Sequence, residues 1–364
     1  MDWRLEYLNI CIIRIEIVVM YKYEVTIGIP IYNMEIYLWR TLESALSQTY
    51  QGIEFLICDD ASTDSSITIV EKYQREHSRG KDIRLIRHAK NLGIGETRNH
   101  LIAETKTKYF FFLDADDVIS EDAIQLLYNA AERFQTDLVY GSHEQIDMTT
   151  DGHPVSSMVY KQHEFLHPDE YPTYVYRKYE GIQAPIWNTL INLEWFRSTG
   201  LRFLPINYWE DFALTMDLAT YTSRVVLLSD VTYYHYRHSN SLSNTNDSNR
   251  FAKETILKTI GAIDHVKRNS DRIKQKSYFP GRMVKVMMTD FYIVCNILKN
   301  KDKIQPSFSK RELRDIMKSP LSFWETISLK NRKPENLFLY MLGVLPPSLS
   351  VGIITILGKH KGLI

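Results

Sequence analysis

An α/β fold built on a doubly wound, mostly parallel sheet is predicted, and three observations predict it. Apolar, β-branched runs at 24–30, 53–58, 83–87 and 109–113 alternate with segments of helical periodicity. Such alternation marks a parallel sheet with helices on both faces. Aspartates follow two of the runs immediately, as Asp59 and Asp60 and as Asp114, Asp116 and Asp117; strand C-termini of such a sheet open on one crevice. A composition of 44% hydrophobic and 24% charged residues over 364 positions is that of a folded globular chain, with room for two or three domains.

Each element has its own justification. Glu24 to Pro30 (EVTIGIP) is β-branched and closed by proline, hence a strand. Met34 to Thr49 places Leu38, Leu42, Ala45 and Leu46 on one helical face. Ile53 to Cys58 is a second strand, and Ser62 or Thr63 can cap a helix over Ser66 to His77. Ile83 to Arg87 is a strand, Ile94 to Glu104 a helix, and Tyr109 to Leu113 a strand ending at Asp114. Glu121 to Phe134 continues as helix and Asp137 to Gly141 as a short strand. Residues 142–182, polar and aromatic, suit a sheet extension and acceptor-side loops. Trp187 to Phe196 and Trp209 to Tyr221 read as helices, Val225 to Arg237 as a strand pair or hairpin, and Ser239 to Asn249 as a mobile Ser/Asn-rich loop. Helices dominate thereafter. The expected division is an N-terminal extension over 1–23, an α/β domain over 24–243 and a helical region over 244–364. Residues 8–21 are too short and too charged for a membrane span and lack a small-residue cleavage site. They read as a poorly ordered extension ahead of a start at Met20, or as an edge strand or packing arm.

The net charge is zero, with 44 Lys and Arg against 44 Asp and Glu, but it is unevenly placed. From Lys258 to Lys333 there are 18 basic and 7 acidic residues. The segment lacks the Arg/aromatic interleaving of a nucleic-acid surface, so no nucleic-acid partner is expected. It leads into Leu337 to Leu357, a run of 21 uncharged residues broken by Pro346 and Pro347. A proline pair interrupts a helix, so two short apolar segments are expected. With Lys330, Arg332 and Lys333 on one side and Lys359 and Lys361 on the other, they suit an anionic membrane surface or packing against the protein. The implied location is cytoplasmic, at the inner face of the membrane. Cys11, Cys58 and Cys295 give neither a disulfide scaffold nor metal-ligand spacing.

The Asp114-Ala-Asp116 pattern follows FFFL and precedes a helix. Two carboxylates one residue apart can hold one hard cation that keeps positions for water and phosphate oxygens. A diphosphate-bearing donor with Mg²⁺ or Mn²⁺ is the reading, beside a structural turn or a hydrolytic metal site. Asn91, Gly93 and Gly95 form a turn and not a dinucleotide fingerprint, and no Walker loop is present.

Taken together, TIGIPIYN (26–33), FLICDDASTDSS (55–66), NLGIGETRN (91–99), YFFFLDADD (109–117) and WED (209–211) resemble the inverting family-2 glycosyltransferases of bacterial polysaccharide and cell-surface glycan synthesis. The resemblance covers about 24–240. It implies the GT-A fold, a UDP-sugar donor and Mn²⁺ or Mg²⁺. It implies that Pro30, Tyr32 and Asn33 shape the nucleotide pocket, that Asp60 accepts a hydrogen bond from the uracil, and that Arg98 faces the donor. Asp114 and Asp116 would form the DXD motif, with Asp116 the direct metal ligand and Asp117 its nearest competitor. Asp211 would be the catalytic base of an inverting transfer, one carboxylate deprotonating the acceptor hydroxyl. Glu210 would bind acceptor hydroxyls or position the base. In Tyr233-Tyr234-His235-Tyr236-Arg237, His235 would reach the metal or diphosphate and Arg237 would neutralise the leaving diphosphate. Trp209 and Trp187 offer apolar faces to sugar rings, or pack in the core. The acceptor would be a glycan, a lipid-linked sugar or a cell-surface polymer. Alternatives are a protein-directed transferase, a nucleotidyltransferase and a non-catalytic glycan-binding protein.

Overall fold

The computed structural model describes residues 22–148, 153–178, 185–238 and 251–364. The expected extension, but for its last two residues, and the Ser/Asn-rich loop lie outside the described residues.

Four strands carry the first half of the sheet: Val25–Ile31 (β1), Ile53–Asp59 (β2), Ile83–Arg87 (β3) and Tyr109–Phe112 (β4). They pair in parallel in the order β3-β2-β1-β4. Helices Leu38–Leu46 (α1), Ser66–Glu76 (α2) and Ile94–Glu104 (α3) connect them. Every residue of β1 is buried, as expected of a strand covered on both faces. Alternate side chains part to the two faces. Leu56, Cys58, Phe110 and Phe112 enter one core, Phe55, Ile57, Tyr109 and Phe111 the other. Gly28 is needed where β1 meets β4, because a Cβ there would lie 2.1 Å from the Phe110 ring.

The second half is mixed. Val118–Ile119 (β5), Ala123–Phe134 (α4), Leu138–Asp147 (β6), Pro154–Met158 (β7), His163–Phe165 (β8) and Glu170–Lys178 (α5) precede Thr189–Asn192 (β9). Helices Leu193–Thr199 (α6) and Glu210–Leu218 (α7) then lead to the 13-residue strand Val225–Arg237 (β10). β9 runs antiparallel between β4 and β6, so residues 189–192, expected in a helix, form the bridge between the two halves. Their ladder bonds to both neighbours outweigh the helical periodicity around them. β10 is one strand, not a hairpin; it pairs in parallel with β6, with register shifts between Leu227 and Tyr233. The short strand expected over 137–141 extends to Asp147 because β10 and β7 pair with it. Ser62 and Thr63 do not cap α2. They bond instead to the Asn33 loop, Ser62 Oγ accepting from Asn33 N at 3.0 Å and Thr63 N donating to Asn33 Oδ1 at 2.8 Å.

The C-terminal region is helical: Lys253–Asn269 (α8), Phe279–Lys299 (α9), Lys310–Ile316 (α10), Phe323–Ser328 (α11), Lys333–Val344 (α12) and Pro347–His360 (α13). The uncharged tail is two helices parted at the proline pair. One apolar cluster runs from Leu56 and Phe110 of the sheet through Phe212 and Met216 of α7 to Met283 and Val294 of α9 and Ile354 of α13. Within it Arg282 of α9 is fully buried. Its guanidinium pairs with Asp217 of α7 and donates to the Tyr176 hydroxyl and Ser270 Oγ, both at 2.9 Å. This ion pair fixes α7 to α9. Arg282→Met would leave Asp217 buried without its cation, and urea denaturation is expected to show a loss of about 3–5 kcal/mol. A loss under about 1 kcal/mol would show that the pair does not anchor α7.

Candidate active site

The ends of β1, β2 and β4 and the start of α7 meet at one crevice. The loop after β1 forms its first wall. Pro30, Tyr32 and Asn33 line a cavity of about 1100 Å³, with Asp60, Leu92, Gly93 and Thr97 opposite and His238, Asn207 and Lys258 around the rim. The Tyr32 ring is exposed, while Asn33 ties its loop to residues 62–63.

Asp60 is buried at the cavity floor. Its carboxylate accepts from Leu92 N and Gly93 N, each at 2.8 Å, and meets His88 Nδ1 at 2.8 Å. His88 Nε2 continues to His100 Nδ1 at 2.8 Å, with Cys58 Sγ at 3.5 Å. Nothing in the sequence spacing of these residues announces that network. Asp60 therefore fixes the turn at 92–93, where Gly93 takes φ +88° and a Cβ would lie 2.2 Å from Asn207 Oδ1.

Arg98, on α3, is buried and bridges the crevice. One terminal nitrogen donates to Asp114 Oδ1 at 3.0 Å and the other to Glu210 Oε1 at 2.5 Å. Burial alone would lower its pKa; the Asp114 and Glu210 carboxylates outweigh that and raise it. The guanidinium thus joins the strand end at Asp114 to the first turn of α7. Glu210 is buried in that contact. Asp211, next along, is half-buried and accepts from Phe212 N at 2.7 Å. Burial and the neighbouring Glu210 push its carboxyl up to about 7, while Arg98 and the Phe212 N–H oppose the rise. Trp209, just before, takes φ +68°, a conformation that costs a bulky residue about 1–3 kcal/mol and that clusters at functional sites. Asp211 and Trp209 open on a second cavity of about 480 Å³ whose far wall is α9.

The three aspartates after β4 separate by environment. Asp117 is buried and bonded on both oxygens, to the Tyr233 hydroxyl at 2.7 Å and Tyr236 N at 2.8 Å. Burial and the carboxylates of Asp116 and Asp114 raise its pKa. It therefore ties β10 to the loop. Asp116 Oδ2 lies 2.9 Å from His238 Nε2, and its carbonyl accepts from Arg40 at 2.7 Å. His238 stacks on Tyr37 with ring centroids 3.9 Å apart. His235, the histidine singled out from sequence, stacks on Trp187 at 5.4 Å. Trp187 is itself buried, stacked on Tyr233 at 4.5 Å and away from the Asp211 cavity. Arg237, at the end of β10, is exposed. His238 and Arg40 were missed in the sequence; the only signal for His238 is its place one residue past the strand.

The Asp116 carboxylate and the His238 imidazole, 2.9 Å apart, make an O/N donor pair of the kind that suits Mn²⁺, while Asp114 Oδ1 is engaged by Arg98. Asp60→Ala is expected to release the 92–93 turn. Loss of charge-assisted bonds worth about 1.5–3 kcal/mol each should speed amide exchange at Leu92 and Gly93 by about tenfold or more; unchanged protection would show that the turn holds without Asp60.

A family model described as glycosyl transferase family 2 matches residues 26–202. The chain is 30% identical over 245 residues to the Escherichia coli UDP-Glc:alpha-D-GlcNAc-diphosphoundecaprenol beta-1,3-glucosyltransferase WfaP, covering 66% of this chain and 88% of WfaP. It is 32% identical to glycosyltransferase GlyG of Streptococcus pneumoniae serotype 4 over 34% of this chain, and that match spans only 40% of GlyG. The crystal structure of S. aureus TarS 1-349 in complex with UDP-GlcNAc is similar in fold, with a TM-score of 0.54 at 15% identity, covering 88% of this chain and 90% of that one. The chain belongs to glycosyl transferase family 2 and has the GT-A fold.

Proposed function

We propose that the protein transfers a sugar from a UDP-sugar to a hydroxyl of a lipid-linked or cell-surface glycan, with inversion and with Mn²⁺ or Mg²⁺ held by Asp116, Asp114 and His238. The observation that carries this reading is the Arg98 bridge, which ties Asp114 after β4 to Glu210, the residue next to Asp211. WfaP, by its name, uses UDP-Glc and a diphosphoundecaprenol-linked acceptor, which supports both the donor and the acceptor class.

The roles follow from position. Pro30, Tyr32 and Asn33 flank the nucleotide, and Asp60 keeps the opposite turn in shape. A bound divalent cation would neutralise charge on the leaving diphosphate. Asp211, ionised above about pH 7, takes the proton of the acceptor hydroxyl as that oxygen attacks the anomeric carbon. Glu210 acts by holding Arg98, which keeps α7 and therefore Asp211 in place. Trp209, lining the Asp211 cavity, offers a face for the acceptor sugar.

Asp211→Asn is expected to cut UDP release from the UDP-sugar by about 10²–10⁴-fold while UDP binding survives; turnover within a few-fold of wild type would remove Asp211 as the base. Because the base must be ionised, kcat/KM should be full above pH 7 and fall about tenfold per unit below it. A flat profile from pH 5 to 8 would contradict the raised carboxyl. His238→Ala should raise the Mn²⁺ concentration for half-maximal activity more than His235→Ala does; the reverse order would reassign the ligand.

We further infer contact with the inner face of the cell membrane through α11–α13. Among the described residues no helix is long and apolar enough to span a bilayer. Trp324 and Ile356 are 73% and 69% exposed, with Phe338, Val344 and Leu349 also at the surface, near Lys330, Lys333, Lys359 and Lys361. Apolar side chains ringed by lysines favour an anionic leaflet. The protein should co-sediment with phosphatidylglycerol vesicles and not with phosphatidylcholine, and Trp324→Ala/Ile356→Glu should abolish this. Equal sedimentation of the double variant would exclude this surface.

A further inference from the structure

The cavity at Asp211 has a floor that the catalytic reading does not use. Lys285, Met288, Thr289 and Tyr292 of α9 line it. They stand at i, i+3, i+4 and i+7, one face of the helix, while Val286, Met287 and Val294 turn into the core. Across from them stand Trp209, Asp211 and Phe212. The volume, about 480 Å³, falls in the range of about 300–1,000 Å³ usual for small-ligand clefts.

The walls are largely apolar, and Lys285 is their one cation. Buried charges are paired in folded proteins, and the interior cations nearby obey the rule. Lys267 has Asp290 and Asp264, Arg282 has Asp217, and Arg98 has Asp114 and Glu210. Lys285 is half-buried, and no hydrogen bond or ion pair of its ammonium is found among the described residues. Thr289 Oγ1 donates to the Lys285 carbonyl at 3.0 Å, which occupies that hydroxyl within the helix. The cavity therefore offers a ligand one base, one unpaired ammonium and apolar faces.

We propose that Lys285 sets acceptor specificity: the cavity takes an acceptor sugar that carries an anionic group, a phosphate or a carboxylate, beside the hydroxyl that Asp211 deprotonates. The proposal rests on the glycosyl-transfer reading and adds the charge of the acceptor to it. An anion on Lys285 supplies the missing partner, and burial, which lowers the lysine pKa in the empty cavity, then works to strengthen the pair. A neutral glycan would leave the ammonium desolvated and unpaired, so the same residue selects against uncharged acceptors.

The test is calorimetric binding of three matched probes to the full chain loaded with UDP and Mn²⁺: hexyl β-glucoside, hexyl β-glucuronide, and the hexyl phosphodiester of glucose 1-phosphate. Wild type should bind at least one charged probe about tenfold or more tighter than the neutral one. Lys285→Met should lose that margin with its affinity for the neutral probe unchanged, and Lys285→Arg should keep part of it. Which charged probe shows the margin distinguishes carboxylate from phosphodiester. No margin in wild type, or one that survives Lys285→Met, overturns the proposal. UDP affinity, measured first on the same samples, reports on the donor reading separately: it should be equal in all three proteins, and its absence from wild type would overturn that reading and not the role of Lys285.

Discussion

A buried guanidinium organises the site. Arg98 is removed from water, and an interior cation is stable only where carboxylates meet it. Its partners come from distant parts of the sequence, Asp114 from the loop after β4 and Glu210 from the start of α7. Satisfying that one charge draws the loop after β4 and the first turn of α7 together. It also tempers the mutual repulsion of Glu210 and Asp211, which burial drives towards their neutral forms. Asp211, which makes no hydrogen bond to Arg98, has its carboxyl pushed up to about 7, the range in which the proposed base would work best at physiological pH.

A second buried ion pair extends the same logic into the helical region. Arg282 and Asp217 lock α9 to the far side of α7. Helix α7 is thus clamped at both ends, to Arg98 through Glu210 and to the C-terminal helices through Asp217. Consequently the cavity at Asp211 has one wall from each region. The donor cavity, by contrast, is built mainly from the loops after β1, β2 and β3, with α8 contributing its rim.

Much of this was legible in the sequence where the determinants are local. The strands at 25–31, 53–59, 83–87 and 109–112 are short apolar runs, and α3 matches its periodicity from Ile94 to Glu104. The loops carrying Asp60, Asp114 and Asp116 fall at the C-terminal ends of those parallel strands, so their place on one edge of the sheet was readable from topology. What failed depends on distant partners. Residues 189–192 are a strand only because β4 and β6 flank them. The register shifts in β10 disturb its two-residue alternation, so sequence position could not say which of His235, Arg237 and His238 reaches Asp116. The environment that separates Asp117 from Asp116 includes Tyr233, more than a hundred positions away. Lys285 carries no motif at all; its interest comes from lacking the partner that Lys267 and Arg282 have.

The most direct measurement is a double-mutant cycle between Asp114→Asn and Glu210→Gln, read as urea-denaturation stability. If Arg98 joins the two carboxylates into one unit, the changes should be non-additive, with a coupling of about 1 kcal/mol or more that disappears when the cycle is repeated in Arg98→Met. Additivity within about 0.5 kcal/mol would show that the two carboxylates are held independently and would contradict the bridge as the organising contact of the site.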